Sequence, residues 1–502
     1  MTVFLLDSVR FAVEHRSAGR ATGPTLQVYA EAPENRELLR FDCFDRGAHW
    51  HLDPDGRDLM TPLRDGVDSI EWVISALRAD LNGYLVRAGF TPKPPLAADR
   101  VVAVLDRVEQ AMRNPPLDLD AIRPEMRRPS LGEKWMTYPE DALPAWVADM
   151  DFPIAEPIRR VLRTAVERSD LGYPIHPAPT DVPELSVARM EQRFDWRPDP
   201  ACVEILTDVV QGIVVALHQF SKPGDGVVIQ TPIYPPFLGS VRSTKRRLLE
   251  NPLALEPTGY GIDVDGLRAA AAQGARMLLL CNPHNPSGRV FRREELDTIA
   301  EVVLAHELVV VSDEIHGDLV YSGHRHIPFA SLSREVEART ITLTSASKAF
   351  NIAGLRCAVA IFGSEPLKRR FCELPRHLRG GIGVLGIEAL RAAWRHGQPW
   401  LDQVLAYLEA NRDYLEGFVL ESLPGVRFHP PQATYLGWLD CRELSLDCDP
   451  HRFFLERARV VLSNGAGFGS PGRGFARINF ATSRAILSEV LERMRKALQD
   501  RV

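Results

Sequence analysis

The chain has 502 residues, which at about 150 residues per domain predicts roughly three structural units. Hydrophobic residues make up 45% and charged residues 25%, values that exclude a disordered, collagen-like or coiled-coil chain. The net charge of −6 gives no electrostatic basis for nucleic acid or an anionic membrane as the main partner. Asp7 and Arg10 interrupt the N-terminal apolar run too early for a signal peptide, and no long apolar span follows. With seven cysteines and no CxxC pair, the sequence predicts a cytoplasmic enzyme.

The first 115 residues alternate short β-like runs with helical patterns. The predicted strands cover residues 25–29 and 38–44, and the predicted helices cover residues 69–88 and 97–113. Proline-rich breakers follow both helices. We therefore predict a small α+β accessory domain over residues 1–115, whose role the sequence does not disclose.

Two alternatives for this domain have weak support. Acidic residues outnumber basic ones and no basic recognition helix is evident, which argues against a DNA-reading regulator. His49 and His51 share one face if residues 48–52 form a strand, and Asp53 and Asp55 lie nearby. No third ligand has diagnostic spacing, so we expect surface imidazoles on a solvated strand and no metal.

From about residue 124 the pattern changes to apolar runs that alternate with helical stretches. The runs are short and rich in β-branched residues, as in buried parallel strands; they lie at residues 226–230, 277–281, 308–312, 340–344 and 358–362. A helical pattern over residues 294–307 separates the second run from the third. Strand, helix and strand in this order predict an α/β fold with a mainly parallel sheet.

Polar motifs follow three of these predicted strands. Residues 282–288 (NPHNPSG), 313–316 (DEIH) and 345–348 (SASK) come directly after apolar runs. Open α/β sheets bind ligands at the carboxyl ends of their strands. A lysine beside hydroxyls, an aspartate able to hold a protonated pyridine and an asparagine able to donate to a phenolate are what pyridoxal phosphate requires.

The chain resembles the fold-type I pyridoxal-phosphate enzymes of the aminotransferase class I/II superfamily, most closely the MalY/PatB-type cystathionine β-lyases. The resemblance covers about residues 124–502. It rests on the motifs SASKAFNIAGLR, SDEIH, NPHNPSG, WVADMDFP, LGYP, TPIYPPF, PQATYLGWLD and GRGFARINF. It implies an aminotransferase-like large domain at residues 166–400 and a smaller α+β domain formed by residues 401–502, with residues 116–165 on the small-domain side.

The resemblance also implies roles for individual residues. Lys348 is implied to form the Schiff base with the cofactor and to move the substrate proton. Asp313 is implied to keep the pyridine nitrogen protonated, Asn285 to bind the ring oxygen and the substrate, and Tyr234 to stack on the ring. Arg477 is implied to bind the substrate carboxylate.

The phosphate of the cofactor is implied to bind at a helix N-terminus, where backbone N–H groups favour an anion. The residues implied there are Val209, Val210, Ser345, Ser347, Arg356 and, reaching from a second subunit, Tyr173. The last of these implies a homodimer with a shared active site. Asp208 departs from the family pattern, since related enzymes place a small residue there.

These motifs do not by themselves separate two reactions on an amino-acid substrate. His316 after Asp313 favours a C–S β-lyase, which cleaves an S-substituted cysteine to a thiol, pyruvate and ammonia. Arg356 and Asp208 instead favour an aminotransferase. We predict the lyase, with the aminotransferase as the alternative and a regulatory protein with a pyridoxal-phosphate domain as a weaker third reading.

Overall fold

The computed structural model describes residues 1–18, 21–64, 67–128, 131–174, 180–256 and 259–501. The chain divides into two compact units, Met1–Leu117 and Asp118–Val502. Each unit has its own hydrophobic core. The finer division of the second unit into residues 116–165, 166–400 and 401–502 stays a prediction.

The first unit is a six-stranded antiparallel sheet in sequential order, with two helices. Its strands are β1 (Thr2–Leu6), β2 (Val9–Ala18), β3 (Ala21–Ala30), β4 (Glu37–Asp42), β5 (His49–Leu52) and β6 (Leu59–Pro62). Its helices are α1 (Ser69–Arg87) and α2 (Ala98–Arg113). The two strands and two helices predicted in this region are present, and β1, β2 and β6 were not predicted.

One face of this sheet forms the core of the first unit. Phe41 of β4 stacks on Trp50 of β5 at a centroid distance of 5.8 Å, and both rings contact Tyr84 of α1. The carboxylate of Asp68 caps α1 by accepting N–H groups of its first turn. Because side chains alternate along a strand, the neighbours of Phe41 and Trp50 point to the opposite face.

The second unit contains the remaining strands and helices. Its strands are β7 (Leu143–Pro144), β8 (Val203–Leu206), β9 (Gly226–Thr231), β10 (Arg247–Pro252), β11 (Ala254–Glu256), β12 (Gly259–Gly261), β13 (Ala275–Cys281), β14 (Val309–Asp313), β15 (Thr340–Thr344), β16 (Ala358–Phe362), β17 (Arg427–Phe428), β18 (Leu436–Asp440), β19 (Val460–Val461), β20 (Ser463–Asn464) and β21 (Phe475–Asn479). Its helices are α3 (Pro124–Arg127), α4 (Glu133–Met136), α5 (Glu156–Glu167), α6 (Val182–Phe194), α7 (Val209–Phe220), α8 (Pro235–Ser243), α9 (Val264–Ala272), α10 (Arg293–Ala305), α11 (Arg334–Glu337), α12 (Ala346–Ala349), α13 (Glu365–Cys372), α14 (Val384–His396), α15 (Gln398–Ser422), α16 (Pro450–Ala458) and α17 (Arg484–Gln499).

The main sheet of this unit has seven strands in the order β10-β9-β13-β14-β15-β16-β8. The first five are mutually parallel, which confirms the predicted α/β fold with a mainly parallel sheet. The apolar run at 358–362 forms β16 as predicted, but β16 is antiparallel to both neighbours. The reason is that the connection from β15 turns back at the same end of the sheet instead of crossing it.

A second, four-stranded sheet in the order β17-β18-β21-β20 forms the C-terminal part of this unit. The short strand β7 pairs with β19, so residues near 143 are held against the C-terminal region. Within the described ranges, no helix combines the length and apolarity that crossing a membrane requires.

Candidate active site

The carboxyl ends of β13, β14 and β15 lie side by side and carry the three polar motifs. Asp313 is the last residue of β14, and Asn285 follows β13 in a loop. Lys348 lies in the one-turn helix α12, which begins after β15 and is capped by the hydroxyl of Ser345. The sheet order therefore places all three motifs at one edge.

Lys348 faces a backbone carbonyl, and among the described residues its one carboxylate partner is at the outer limit of ion-pairing distance. Its Nζ donates to the carbonyl oxygen of Ala148 at 2.8 Å, and the carboxylate of Asp149 is 4.0 Å away. Burial and the charge of Arg477 lower the pKa of Lys348, against the opposing effect of Asp149. A lowered pKa increases the fraction of the amine that is neutral, and therefore nucleophilic, at a given pH.

Three side chains that the sequence analysis did not identify hold the segment opposite Lys348. Asn351 and Asn479 each donate through Nδ2 to two backbone carbonyls of residues 147–152. The hydroxyl of Tyr435 donates to Ala148 at 2.8 Å, the same carbonyl that Lys348 contacts. Tyr435 and Asn479 lie in PQATYLGWLD and GRGFARINF, two of the motifs that carry the family resemblance, so these motifs were the available signal for both residues.

Asp313 is a buried carboxylate without a cationic partner within 4 Å among the described residues. Its Oδ1 accepts the backbone N–H of Ile315 at 3.1 Å. Burial raises the pKa of Asp313 to about 7, assisted by the charge of Glu314 and opposed by Lys348. A buried carboxylate with this pKa is stabilised by a cation, such as a protonated ring nitrogen.

Arg477 in β21 is a buried cation, and in the described part of the chain no carboxylate lies within ion-pairing distance of it. It donates to Asn285 Oδ1 at 3.0 Å, to the carbonyl oxygen of Trp146 at 2.9 Å and to Ser463 Oγ at 3.1 Å. Its Nε has no partner, and burial lowers its pKa to about 10. An unpaired guanidinium held by neutral acceptors is suited to binding a carboxylate from a ligand.

Tyr234 and His316 lie close to these charged groups. Tyr234 immediately precedes α8, and burial raises the pKa of its hydroxyl, with Arg477 opposing. His316 is buried, its Nδ1 has no partner, and its ring contacts Tyr435 edge to face. Burial and the positive charges of Lys348 and Arg477 lower the pKa of His316 to about 3. The imidazole is therefore neutral at physiological pH.

The buried neutral His316 predicts a loss of stability in acid. Folding lowers the pKa of His316 from about 6.5 in the unfolded chain to about 3. Its contribution to the unfolding free energy is therefore complete above pH 6.5 and decreases as the pH falls toward 3. His316→Asn is expected to remove about 1.6 kcal/mol of the loss in unfolding free energy between pH 6.5 and pH 5. Urea unfolding of both proteins at these two pH values measures this difference; parallel decreases would contradict a neutral buried imidazole.

The N-terminus of α7 presents the free N–H groups expected of a phosphate site, since the first N–H groups of a helix have no partner within it. Val209 and Val210 are its first two residues, and Asp208 caps it by accepting the N–H of Gln211. Asp208 also pairs with Arg356 at 2.6 Å. The two residues that depart from the lyase pattern thus neutralise each other at this helix.

The other predicted phosphate ligands differ in their availability. The hydroxyl of Ser345 donates to the carbonyl oxygen of Cys357 at 2.6 Å and accepts the N–H of Ser347, so it is already used to cap α12. Ser347 is half-buried beside it. Tyr173 is fully exposed and is not brought to the other site residues within this chain.

The charged and polar groups of this site are of the kinds that pyridoxal phosphate requires. A buried carboxylate without a cation and an amine with a lowered pKa lie at the carboxyl edge of the main sheet, and a buried guanidinium with an unused Nε reaches Asn285 at that edge from β21. Asp313, Lys348 and Asn285 would hold the ring and aldehyde, and the start of α7 with Arg356 would hold the phosphate. Such a site defines an enzyme that acts on an α-amino acid through this cofactor.

Comparison with known proteins supports this class. The family model for aminotransferase class I and II matches residues 200–494, and a domain of unknown function, DUF7700, matches residues 4–111. The chain therefore belongs to the aminotransferase class I and II family.

Relatives match this chain over nearly their whole length. The cystathionine beta-lyase PatB of Bacillus subtilis strain 168 is 38% identical over 71% of this chain and 93% of its own. The cystathionine beta-lyase of Corynebacterium glutamicum is 36% identical over 74% of this chain and 100% of its own. The structure of the PLP-bound C-S lyase from Staphylococcus hominis superposes with a TM-score of 0.72 at 30% identity, covering 77% of this chain and 100% of that one.

Proposed function

We propose that the protein is a pyridoxal-phosphate-dependent C–S β-lyase that cleaves an S-substituted L-cysteine. Relatives that are 36–38% identical over more than nine-tenths of their length carry the name cystathionine beta-lyase. The observation that carries the proposal is the grouping of the buried Asp313 and the amine of Lys348 at one edge of the main sheet with the unpaired Arg477, which donates to Asn285 at that edge. The net reaction adds one water and yields a thiol, pyruvate and ammonia.

Each side chain has a distinct task in this reaction. When bound, pyridoxal phosphate withdraws electrons from the substrate Cα and so weakens its C–H bond. Arg477 binds the substrate carboxylate and fixes the orientation of that bond, while Asp313 keeps a proton on the ring nitrogen. The amine of Lys348, with its lowered pKa, accepts the Cα proton. The C–S bond then breaks, and the thiol leaves with a proton.

An aminotransferase is the second candidate, because Arg356 stands where aminotransferases bind phosphate. Arg356 does not act alone here, since its guanidinium is paired with Asp208. We infer that this pair adjusts the charge of the phosphate site and does not select the reaction. His316, neutral and next to Tyr435, instead favours the lyase by its place in the DEIH motif.

The contact between Asp208 and Arg356 leads to a prediction for cofactor affinity. Arg356→Ala is expected to weaken binding about tenfold or more, because it removes a charged donor and leaves Asp208 unpaired beside the phosphate. The double variant Asp208→Ser with Arg356→Ala is expected to recover part of this loss, since serine can still cap α7. Fluorescence titration of the apoenzymes of the wild type, Arg356→Ala, Asp208→Ser and the double variant gives the four affinities of a double-mutant cycle; additive effects would contradict coupling of the pair at the phosphate site.

Two further features belong to this proposal. We propose a homodimer in which Tyr173, which is fully exposed, contacts the cofactor phosphate of the other subunit. We also propose a cytoplasmic location, which the seven free cysteines support.

A product assay without any 2-oxo acid tests the lyase. Purified, cofactor-loaded protein is mixed with L-cystathionine and other S-substituted cysteines, and pyruvate and free thiol are measured. Many turnovers to equal amounts of both products are expected. Substrate consumption that occurs only after a 2-oxo acid is added, with conversion of that oxo acid to its amino acid and no release of thiol, would establish transamination and refute the lyase.

A further inference from the structure

We propose that the first unit binds a divalent first-row transition-metal ion through Asp42, His49 and His51. These three side chains are called the triad below. Their ligand atoms all lie within 4.8 Å of one another. Two imidazoles and one carboxylate favour zinc, iron or a similar ion over magnesium or calcium, which prefer oxygen ligands. The triad lies outside residues 200–494, which match the aminotransferase family model. The metal proposal therefore does not depend on the proposed function.

Strand pairing brings the triad together. His49 and His51 lie two residues apart in β5, so they share a face, and Asp42 in the adjacent β4 is the direct partner of His49. Trp50, between the two histidines, points to the core face instead. The third ligand that the sequence did not reveal therefore comes from across the hairpin. Asp53, considered earlier, is occupied in an ion pair with Arg36.

The hydrogen bonds around the histidines orient both rings toward a common centre. His49 Nδ1 lies 2.8 Å from the carbonyl oxygen of Gly47, and His51 Nδ1 lies 2.6 Å from the carboxylate of Asp58. Because these oxygens only accept, each Nδ1 carries the proton, and in the neutral ring each Nε2 presents a lone pair. Metal-binding histidines are commonly oriented by this kind of outer partner.

The carboxylate of Asp42 is held in the same way. Its Oδ1 accepts the hydroxyl of Thr25 at 2.5 Å and lies 3.4 Å from the guanidinium of Arg16. Its Oδ2 is left facing His49 Nε2 at 3.5 Å and His51 Nε2 at 3.7 Å. Both distances exceed a normal N–H···O hydrogen bond of about 2.7–3.2 Å.

This spacing suits a shared cation better than direct contacts. A metal bonded to nitrogen and oxygen at about 2.0–2.2 Å holds neighbouring ligands roughly 3 Å apart. The separations of Asp42 Oδ2 from the two Nε2 atoms, 3.5 Å and 3.7 Å, exceed that value by less than ~1 Å. The side chains of His49 and His51 are 24% and 13% exposed, so an ion and its remaining water ligands can reach the triad.

Equilibrium dialysis of the chelator-treated full-length holoenzyme against Zn²⁺ and Co²⁺ tests the proposal. The wild type is expected to bind one ion per chain with micromolar or tighter affinity. His49→Gln and His51→Gln are each expected to weaken binding more than about 100-fold. Asp58→Asn is expected to weaken metal binding about 10–100-fold, because Asp58 accepts the hydrogen bond that orients the His51 ring. His377→Gln, an exposed histidine of the second unit, is the matched control and is expected to bind like the wild type.

X-ray absorption of the zinc-loaded wild type keeps the test independent of how the variants fold. Nitrogen and oxygen neighbours at about 2.0–2.1 Å with imidazole scattering are expected, whereas cysteine would add sulfur at about 2.3 Å. A sulfur shell, no binding by the wild type, or equal binding by His49→Gln, His51→Gln and the control would each overturn the proposal.

Discussion

Lys348→Ala is expected to abolish turnover and the long-wavelength absorbance of the bound cofactor. The amine of Lys348 is the group positioned at the sheet edge to bond the aldehyde and then to accept the Cα proton. A positioned acid–base group contributes about 10²–10⁴-fold, and this variant also loses the amine that bonds the aldehyde, so a rate loss of about 10⁴-fold or more is expected. Absorbance spectra and initial rates of pyruvate formation measure both effects.

Two controls separate this chemistry from loss of fold or charge. Lys222→Ala removes an exposed lysine of the same unit and is expected to leave both readouts unchanged. Lys348→Arg keeps the positive charge beside Asp149 but supplies a poor nucleophile, so it is expected to behave like the alanine variant. Near-normal turnover in Lys348→Ala would refute the site.

Asp313→Asn is expected to cut turnover by at least about 10²–10³-fold while cofactor still binds. The buried carboxylate of Asp313 has no cationic partner in the described part of the chain and is placed to stabilise a protonated ring nitrogen. Asparagine keeps the shape but not the charge, so the ring becomes a weaker acceptor of the Cα electrons. The rate of exchange of the substrate Cα proton with deuterium, followed by NMR, reports this step directly.

Asp297→Asn, a half-exposed carboxylate on α10, is the matched control for this substitution. It is expected to exchange the Cα proton at the wild-type rate. Wild-type exchange in Asp313→Asn as well would show that the ring nitrogen has another partner.

The main sheet could be predicted because its strands are apolar on both faces. The runs at 340–344 and 358–362 match β15 and β16 to the residue, and the run at 308–312 differs from β14 by one position. The antiparallel direction of β16 could not be predicted, because an apolar run contains no information about direction. That direction depends on the turn after Lys348.

Lys348, Asp313 and Arg477 were each predicted from one motif; the structure places Lys348 and Asp313 at one sheet edge and Arg477 against Asn285, and their roles stay predictions. The spacing of residues along the sequence did not reveal contacts between distant segments. The pairing of Asp208 with Arg356 joins residues 148 positions apart, and the hydrogen bond from Tyr435 to Ala148 joins residues 287 positions apart. The triad has the same origin, since Asp42 meets His49 only through the pairing of β4 with β5.

Borohydride reduction of the holoenzyme, followed by peptide mass mapping, tests the assignment on which the rest of the site depends. Reduction fixes the cofactor to the amine that holds it. We expect the added mass on the peptide that contains Lys348 and on no other peptide. A label on a different lysine, such as Lys134, which is buried against Asp151, would contradict the site. A holoenzyme that acquires no label would contradict it as well.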